Sequence, residues 1–199
     1  MIKRRQTTAV RREQIIDAAR RLVVKQGSEH VTVGRIAKEV GISEGAIYRH
    51  FKSKREVLSG LADDLANDLL RDIASSSADD STSLEIIDNT LRKHLSTIEQ
   101  RRGISFQVIA EIISFGDKKL NKKISDAINS YMRGLNVLLS KGIMAGEVRK
   151  DTDIEAASML LFGMIQGLVN VWALSGYSFN LEERYSQLWK VFHKAIANL

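Results

Sequence analysis

The stretch from Thr32 to Lys54, TVGRIAKEVGISEGAIYRHFKSK, constrains the fold more than any other part of this chain. The hydroxyl of Thr32 can accept a free amide at a helix start, and Gly41 can end that helix in a left-handed conformation. The apolar residues between them recur at helical spacing: Ile36, Ala37 and Val40. Ser43 can cap a second helix, predicted to run from Glu44 to His50. The stretch therefore predicts two short helices joined by a tight turn, the helix-turn-helix arrangement.

The same residues resemble the DNA-binding signature of the TetR family of bacterial transcriptional regulators. The similar positions are Thr32, Ile36-Ala37, Gly41, Gly45, Ile47-Tyr48, His50-Phe51 and Lys54. The closing Tyr-x-His-Phe-x-x-Lys narrows the match beyond a generic helix-turn-helix, and the similarity runs from about Ile15 to Leu58. The resemblance implies an N-terminal DNA-binding head and a C-terminal body that dimerises and holds a small molecule.

The composition favours an all-α fold. The 199 residues include no Pro, so nothing interrupts long helices, and few segments alternate between polar and apolar residues as strands do. We expect about nine helices. A three-helix head is predicted in residues 1–53, with a flexible basic arm at 1–10, and a larger ligand-binding and dimerisation body in residues 54–199. The arm and the residues after it could reach phosphates or a minor groove, or form a mobile tail without fixed contacts. The cations concerned are Lys3, Arg4, Arg5, Arg11 and Arg12.

Charge is distributed unevenly along the chain. The first 60 residues contain fourteen Lys and Arg but six Asp and Glu, a balance of +8, whereas the whole chain carries +6. The remaining residues therefore carry −2. This asymmetry is typical of a nucleic-acid-binding head on a domain that does not bind nucleic acid, although an ordinary solvated surface could also have it.

Capping residues and apolar spacing predict the other helices. The first helix runs from about Arg11 to Gln26 and ends at Gly27. Three tetrapeptides match the capping-box pattern and predict helix starts: Ser53–Glu56, Thr82–Glu85 and Thr152–Glu155. Three more helices are predicted: one at Ile104–Phe115, one that follows Asp117 as its cap, and one at Leu181–Ala197 with Asn180 as its cap. Residues 75–81 are predicted to form a loop.

The segment Ala156–Leu181 contains no charged side chain. Its length would admit a membrane span, and Gly163-x-x-x-Gly167 matches a motif of membrane helix dimers. Polar residues interrupt the segment and acidic residues flank it. We therefore favour a helix buried on all sides, by its own core and by a partner subunit, and expect no membrane association. The family resemblance implies that this helix and the last one pair with their copies in a homodimer. The expected interface residues are Gly163, Gly167, Asn170, Tyr185, Leu188, Trp189 and Phe192.

The helix-turn-helix residues are expected to divide into two roles. Matching positions in the family contact phosphates, which implies that role for Thr32, Ser43, Tyr48, His50 and Lys54. For His50, a surface or packing role is the alternative. Arg can bind guanine, Ala can meet a thymine methyl group and Glu can accept from cytosine. The expected base-reading residues are Arg35, Glu44, Gly45, Ala46 and Arg49. A symmetric dimer would present two recognition helices to a palindromic operator of double-stranded DNA.

The body, by the same resemblance, is expected to hold a small-molecule pocket with a mainly apolar lining. The candidate lining residues are Phe106, Ile109, Ile113, Tyr131, Leu135, Met159, Phe162 and Gln166. Ordinary core packing is the alternative for each of them. An apolar lining would suit a hydrophobic or acyl-type effector, whose binding would favour a spacing of the two heads that misfits the operator.

The sequence does not indicate an enzyme. It has no Cys, and its histidines lie on different predicted elements: His30, His50, His94 and His193. The H-E-x-x-H, phosphate-binding Gly-loop and G-x-S-x-G motifs are missing. We expect no metal or other cofactor, and a cytoplasmic, nucleoid-associated bacterial regulator, by family resemblance a repressor, released by a small hydrophobic effector. The alternative is a ligandless DNA-binding protein of the same fold, regulated by a protein partner in chromosome organisation or division control.

Overall fold

The computed structural model describes residues 7–26, 31–74 and 81–198 of the chain. Within these ranges the protein consists of α-helices and turns with one isolated bridge between Val148 and Ala197, so the all-α prediction is confirmed. The described ranges contain nine helices: α1 (Thr8–Gln26), α2 (Val33–Val40), α3 (Glu44–Tyr48), α4 (Lys54–Ala74), α5 (Ser83–Gln100), α6 (Ile104–Phe115), α7 (Lys118–Met144), α8 (Ile154–Leu174) and α9 (Leu181–Ile196).

The helices form two compact units. The first contains residues up to Leu65 together with Gln107–Ile124, and the second contains Ala66–Phe106 and Ser125–Leu199. The first unit therefore holds α1 to α3, the first half of α4, and the junction between α6 and α7. The predicted functional boundary after residue 53 stays a prediction, since compactness alone does not test it.

The core of the first unit is formed by the inward faces of α1 to α4. Its fully buried residues include Ile15, Ile36, Ile47, Phe51 and Leu58. A Cβ at Gly60 on α4 would lie 2.5 Å from Cδ1 of Ile16 on α1, so the absence of a side chain there allows the two helices to approach closely. The burial of Ile47 and Phe51 confirms them as the inward anchors of the helix-turn-helix.

Helix α1 begins earlier than the sequence indicated. Oγ1 of Thr7 accepts the Val10 amide at 3.4 Å, and its carbonyl accepts the Arg11 amide at 3.0 Å. Thr7 is therefore a cap, which the apolar spacing did not reveal because the first turn of α1 is exposed. The prediction of a flexible arm is wrong from Thr8 onward. The predicted features at Lys3, Arg4, Arg5, Gly27 and residues 75–80 lie outside the described residues.

Two predicted capping boxes differ in how completely they form. At α5, Oγ1 of Thr82 accepts the Glu85 amide at 3.2 Å and Oε2 of Glu85 accepts the Thr82 amide at 2.9 Å, which confirms the prediction. At α4, Oγ of Ser53 accepts the Glu56 amide at 3.3 Å. Oε2 of Glu56 instead accepts the amide of Lys52 at 2.7 Å, so this carboxylate fixes the residue before the predicted cap.

The predicted cap of α8 is wrong by one residue, whereas those of α7 and α9 are confirmed. Asp153 rather than Thr152 caps α8 and accepts the Ala156 amide at 3.0 Å. Asp117 accepts two amides at the start of α7, and Asn180 caps α9. Where adjacent residues can both cap, sequence spacing alone does not choose between them.

A polar network holds α5 and α9 together in the second unit. Tyr185 on α9 is fully buried and its hydroxyl donates to Oδ1 of Asp88 on α5 at 2.8 Å. Nε of Arg92 donates to Oδ2 of Asp88 at 3.2 Å, and its guanidinium lies 5.1 Å from the centroid of the Tyr185 ring. Burial, followed by the charge of Asp88, raises the pKa of Tyr185. The phenol therefore stays protonated and donates.

Helix α8 has two different faces. Its inward residues, among them Leu161, Ile165 and Leu168, are buried. Its outward residues are exposed, and they include Leu160, Gly163, Gly167, Asn170, Val171 and Leu174. The predicted core side of α8 is therefore buried, whereas the predicted cover by a partner subunit on the outer side stays a prediction. By length and composition alone α8 could cross a membrane, but the core helix of a soluble protein passes the same test.

Candidate nucleic-acid interface and body sites

Thr32 and Ser43 cap the two helices of the helix-turn-helix. Oγ1 of Thr32 accepts the Arg35 amide at 3.2 Å, and Oγ of Ser43 accepts the Ala46 amide at 3.2 Å. Both caps are exposed. Exposed hydroxyls of this kind can contact phosphate oxygens, although the phosphate role of the two residues stays a prediction.

The turn between α2 and α3 depends on the backbone of Gly41. Its φ is 74°, in the left-handed region, and the following amide of Ile42 donates to the Ala37 carbonyl at 2.9 Å. A Cβ at Gly41 would meet nothing within 4 Å, so the turn requires glycine for its conformation rather than for space. The turn in this way sets the direction in which α3 leaves α2.

The recognition helix α3 is shorter than predicted. It ends at Tyr48 instead of His50, because Arg49 is its C-cap and the His50 amide donates to the Ile47 carbonyl at 2.8 Å in a tighter turn. The side chain of Tyr48 is 51% exposed and that of Arg49 is exposed. With Ile47 buried, α3 presents these two polar side chains on the surface of the first unit.

Three predicted base-reading residues lie near one another at the start of α3. A Cβ at Gly34 would lie 2.6 Å from Oε1 of Glu44, so the carboxylate rests against the first turn of α2 in space that Gly34 leaves open. Glu44 would have to turn away from α2 to accept from a base. Gly45 is exposed and Ala46 is half-buried, and neither offers a polar side chain. Their roles in base reading stay predictions.

Among the described residues, the cations of α2 and α3 are not paired with acids. Glu39 pairs instead with α1, at 3.0 Å from Nε of Arg21 and 3.8 Å from Nζ of Lys25. Within the described ranges, three cations of the helix-turn-helix form no ion pair: Arg35, Lys38 and Arg49. Uncompensated positive charge beside an exposed recognition helix is expected at a surface that binds a polyanion.

The other predicted DNA contacts occupy different environments. Arg35 is exposed, and its Nη1 donates to Oε1 of Gln26 at 2.8 Å. His50 is half-buried, and its Nδ1 is enclosed with no hydrogen-bond partner in the described part of the chain. Only its other ring nitrogen can therefore reach a phosphate. Lys54 is half-buried at the first position of α4.

The second unit brings together part of the predicted ligand pocket. Tyr131 on α7 is buried, and its ring centroid lies 6.4 Å from that of Phe162 on α8 and 5.7 Å from that of His94 on α5. Leu135, one turn after Tyr131, is also buried, and Gln166 is half-buried. The three rings form an aromatic cluster of His94, Tyr131 and Phe162 in the interior of the second unit.

Other predicted pocket residues do not join that cluster. Ile113 is 65% exposed and Met159 is 57% exposed, so both are wrong as residues that line an enclosed pocket in this structure. Apolar character placed them in the prediction, but their helical position turns them outward. Ile109 is half-buried and belongs to the first unit. The side chain of Phe106 lies outside the described residues.

The position of His94 beside Tyr131 was not predicted from the sequence. His94 is buried on the same face of α5 as Leu91, Leu95 and Ile98. Its spacing from those three residues indicates an inward position, but His94 was considered only as a possible catalytic residue.

A cavity of about 340 Å³ in the second unit contains none of the predicted pocket residues. Its lining includes Glu85, Asp88, Glu147, Trp189 and His193. The three carboxylates already accept hydrogen bonds from the protein, respectively from Thr82, Tyr185 and the Leu84 amide. This cavity is therefore not the predicted effector site.

Three predicted interface residues are buried within their own chain, which corrects their assignment. Tyr185, Trp189 and Phe192 pack along α9, with ring centroids 6.2 Å and 5.6 Å apart in successive pairs. An aromatic stripe on a helix does not reveal whether its own body or a partner covers it. The remaining predicted residues are accessible to different degrees: Leu188 is half-buried, and Gly163, Gly167 and Asn170 are exposed.

Two family models match the sequence over nearly its whole length. The model for "Bacterial regulatory proteins, tetR family" matches residues 15–61, which contain most of α1 and all of α2 and α3. The model for "YsiA-like protein, C-terminal region" matches residues 63–195.

Curated relatives and solved structures agree with these matches. The chain is 26% identical to the fatty acid metabolism regulator protein of Bacillus subtilis (strain 168), over 84% of this chain and 86% of the relative. It is 25% identical to the nucleoid occlusion factor SlmA of Vibrio campbellii, over 94% and 95% of the two chains.

The transcriptional regulator FadR from Bacillus subtilis, solved in complex with stearoyl-CoA, is 25% identical, with 90% and 96% coverage and a TM-score of 0.76. A TetR transcriptional regulator from Chloroflexus aurantiacus has a TM-score of 0.80 at 21% identity, with 96% and 98% coverage, which shows the shared fold. The C-terminal family match alone spans more than half of the chain. The protein therefore belongs to the tetR family of bacterial regulatory proteins and is a DNA-binding transcriptional regulator.

Proposed function

We propose that this regulator is a homodimeric repressor that binds a palindromic operator through α2 and α3 and releases it when a long-chain acyl-CoA binds the body. The proposal of DNA binding rests mainly on the orientation of the recognition helix. Ile47 is buried and anchors it, while Tyr48 and Arg49 are exposed. The protein acts in the cytoplasm, at the nucleoid, where its DNA target lies.

The polar groups of the helix-turn-helix have separate roles in this proposal. The phosphate contacts are Thr32, Ser43, Tyr48, His50 and Lys54, which include two capping hydroxyls and the first residue of α4. Bases are read by Arg49 and Arg35, with Glu44, Gly45 and Ala46 shaping the fit. Arg49 is the main reader because it is exposed and, unlike Arg35, which donates to Gln26, its side chain forms no ion pair or hydrogen bond within the described residues.

The outer face of α8 supports the proposal of a homodimer. Between Leu160 and Leu174 its exposed residues are apolar side chains and the glycines at 163 and 167, apart from Asn170. Val191 adds an exposed apolar side chain on α9. A continuous apolar surface of this kind is typical of a protein–protein contact, and glycines allow two helices to approach closely. Two-fold symmetry would then give the operator its palindrome.

The proposed effector follows from the relatives and from the apolar body. One curated relative is a fatty acid metabolism regulator, and a solved regulator of similar sequence and fold contains stearoyl-CoA. In this chain, Tyr131, Leu135, Phe162 and Gln166 are the predicted pocket residues that remain inward or half-buried in the second unit. Acyl-CoA would bind preferentially to a dimer whose two heads misfit the operator and so lower DNA affinity.

Fluorescence anisotropy tests this function directly. A labelled duplex that the protein selects from a random-sequence library is titrated with stearoyl-CoA, free coenzyme A or stearate. We expect stearoyl-CoA to weaken DNA binding about 5- to 150-fold, the usual range of allosteric coupling, and coenzyme A alone to have little effect. Unchanged affinity with acyl-CoAs of every chain length tested would contradict the effector assignment and leave the DNA-binding assignment intact.

A second candidate function is regulation by a protein partner without a small ligand. The similarity to the nucleoid occlusion factor SlmA, which spans 94% of this chain, favours it. Under this alternative the side chains of the aromatic cluster are ordinary core residues that bind no ligand. Operator binding would then be insensitive to every acyl-CoA, and Phe162→Ala would lower stability without changing any ligand response.

A further inference from the structure

The side chain of Arg12 contacts three residues that follow the recognition helix. Its Nη1 donates a hydrogen bond to the carbonyl oxygen of His50. Its guanidinium carbon lies 4.1 Å from the centroid of the Phe51 ring, and its Nη1 lies 3.5 Å from Oε1 of Glu56. Arg12 is on the second turn of α1, so one side chain links α1 to the whole connection between α3 and α4.

On its α3 side, the connection between α3 and α4 (residues 49–53) is held by the amides of His50 and Phe51, which both donate to the Ile47 carbonyl, at 2.8 and 2.9 Å. Helix α3 has five residues, too few for an isolated helix to be stable in water. The carbonyl of His50 lies beyond the end of α3, where no helical amide follows to bond it. Phe51 is fully buried, which fixes the position of its ring but not the direction of the neighbouring peptide.

Glu56 extends the same linkage into α4. One of its carboxylate oxygens faces Arg12, and the other accepts the amide of Lys52 at 2.7 Å. The hydrogen bond from the Lys52 amide, and then the charge of Arg12, lower the pKa of Glu56 and keep it ionised. The two ends of the connection, at His50 and at Lys52, are thereby tied to one arginine.

We propose that Arg12 is a positioning residue for DNA recognition, which holds the α3–α4 connection so that Tyr48, His50 and Lys54 meet the DNA backbone together. Arg12 acts through the His50 carbonyl and the Phe51 ring and does not itself bind phosphate. This inference rests on the proposed phosphate roles of those three residues. It also departs from the expectation that Arg12 reaches DNA as part of a basic arm.

The experiment separates positioning from phosphate binding by the dependence of affinity on salt. Removing a phosphate contact lowers the slope of log affinity against log salt by about one unit, whereas removing a positioning contact leaves the slope unchanged. The full-length wild type, Arg12→Ala, Arg12→Lys and the neighbouring Arg11→Ala are titrated with the library-selected duplex. Arg11 is the matched control because its side chain forms no ion pair or hydrogen bond within the described residues.

We expect Arg12→Ala to weaken binding about tenfold, the equivalent of one charge-assisted hydrogen bond, with the wild-type salt slope. Arg12→Lys should not restore affinity, because an ammonium keeps the charge but cannot stack on Phe51 and bond the carbonyl together as a planar guanidinium does. A slope reduced by about one unit in Arg12→Ala, with rescue by Arg12→Lys, would show a phosphate contact and overturn the proposal. Unchanged affinity in Arg12→Ala would also overturn it.

Two further measurements keep the proposal testable. If Arg12→Ala does not fold, Arg12→Lys carries the test alone, and wild-type affinity in that variant refutes positioning by the guanidinium. If the wild type selects no sequence from the library, the proposed operator binding fails while the structural clamp remains measurable. Hydrogen exchange of the His50 and Phe51 amides should then be faster in Arg12→Lys than in the wild type, and equal rates would overturn the clamp.

Discussion

One carboxylate, that of Asp117, joins the first turn of α7 to the first turn of α4 through Arg55. Its Oδ2 lies 2.5 Å from Nε of Arg55, and its Oδ1 accepts from Nη2 of Arg55 at 3.1 Å. The same Oδ1 accepts the amides of Lys119 and Leu120 at 2.9 Å and 3.0 Å. Capping and ion pairing are therefore combined in one side chain of the first unit.

Two substitutions at Asp117 separate its capping role from its ion pair. Asp117→Asn keeps a side-chain oxygen that can cap α7 but removes the charge, whereas Asp117→Ala removes both. We expect Asp117→Ala to lower Tm more than Asp117→Asn, measured by circular dichroism at neutral pH. Equal Tm values for the two variants would show that the cap contributes nothing.

The pH dependence of Asp117 gives a second readout. The amide of Leu120, and then Arg55, hold its pKa below the ordinary value of 3.8. Because the pKa is lower in the folded state, this carboxylate stabilises the protein above pH 3.8 and loses that effect as the pH falls through the folded-state pKa. The wild type should therefore lose more Tm than Asp117→Asn on acidification below this value, and parallel losses would contradict the interaction.

Gly41 and Gly45 form a matched pair for testing the turn. Gly41→Ala should lower the free energy of unfolding by about 1 kcal/mol, because alanine is strained at the positive φ of this position. Gly45 lies within α3 with a helical backbone, so Gly45→Ala should be neutral or stabilising by up to about 1 kcal/mol. Urea unfolding of both variants measures the difference, and a harmless Gly41→Ala would show that the turn does not need its left-handed residue.

Tyr185→Phe tests the polar network between α5 and α9. Removing the hydroxyl should lower the free energy of unfolding by about 1–3 kcal/mol, since a buried donor to the Asp88 carboxylate is lost. Tyr177→Phe is the control, because Tyr177 is partly exposed and its ring contacts Trp172. A loss in Tyr185→Phe no larger than in the control would contradict a stabilising role for the hydroxyl.

The same phenol predicts a loss of stability in alkali. The folded-state pKa of Tyr185 is raised above its ordinary value of 10.0. The stabilisation is therefore fully present below pH 10 and is lost as the pH rises towards the folded-state pKa. Tyr185→Phe should lack this component of the alkaline decline.

Val171→Glu tests the proposed dimer face on α8. Val171 is 58% exposed, and in a symmetric dimer the substitution would place a charge from each subunit in an apolar contact. We expect the dimer Kd to rise about a hundredfold, as buried uncompensated charges at interfaces do, when measured by sedimentation equilibrium. Val10→Glu on α1, also at an exposed apolar residue, should leave the Kd unchanged. A variant at Val171 that dimerises normally would remove this face from the interface.

The features that the sequence predicted well are those encoded by neighbouring residues. The Thr32 and Ser43 caps and the left-handed Gly41 each depend on side chains or backbone within about four positions, so spacing alone reveals them. The apolar face of α5 was also predictable, because its apolar residues recur at helical spacing.

Features that depend on distant residues were not predictable in this way. Arg12 contacts residues that are 38 and 44 positions away in sequence, and its role is visible only once α1 is folded against α4. Tyr185 is covered by α5 of its own chain, so an aromatic stripe that resembled an interface is core. Met159 shows the converse, because an apolar residue expected to face inward lies on the outward face of its helix.

Selection of bound sequences from a random DNA library tests most directly the claim that α2 and α3 read an operator as a symmetric pair. The wild type should select a palindrome with half-site centres about 10 base pairs, or a multiple, apart. Arg49→Ala should lose preference at one position of each half-site, whereas Lys54→Ala should keep the motif and weaken binding to all sequences. An asymmetric motif, no motif, or an unchanged motif with Arg49→Ala would contradict this account.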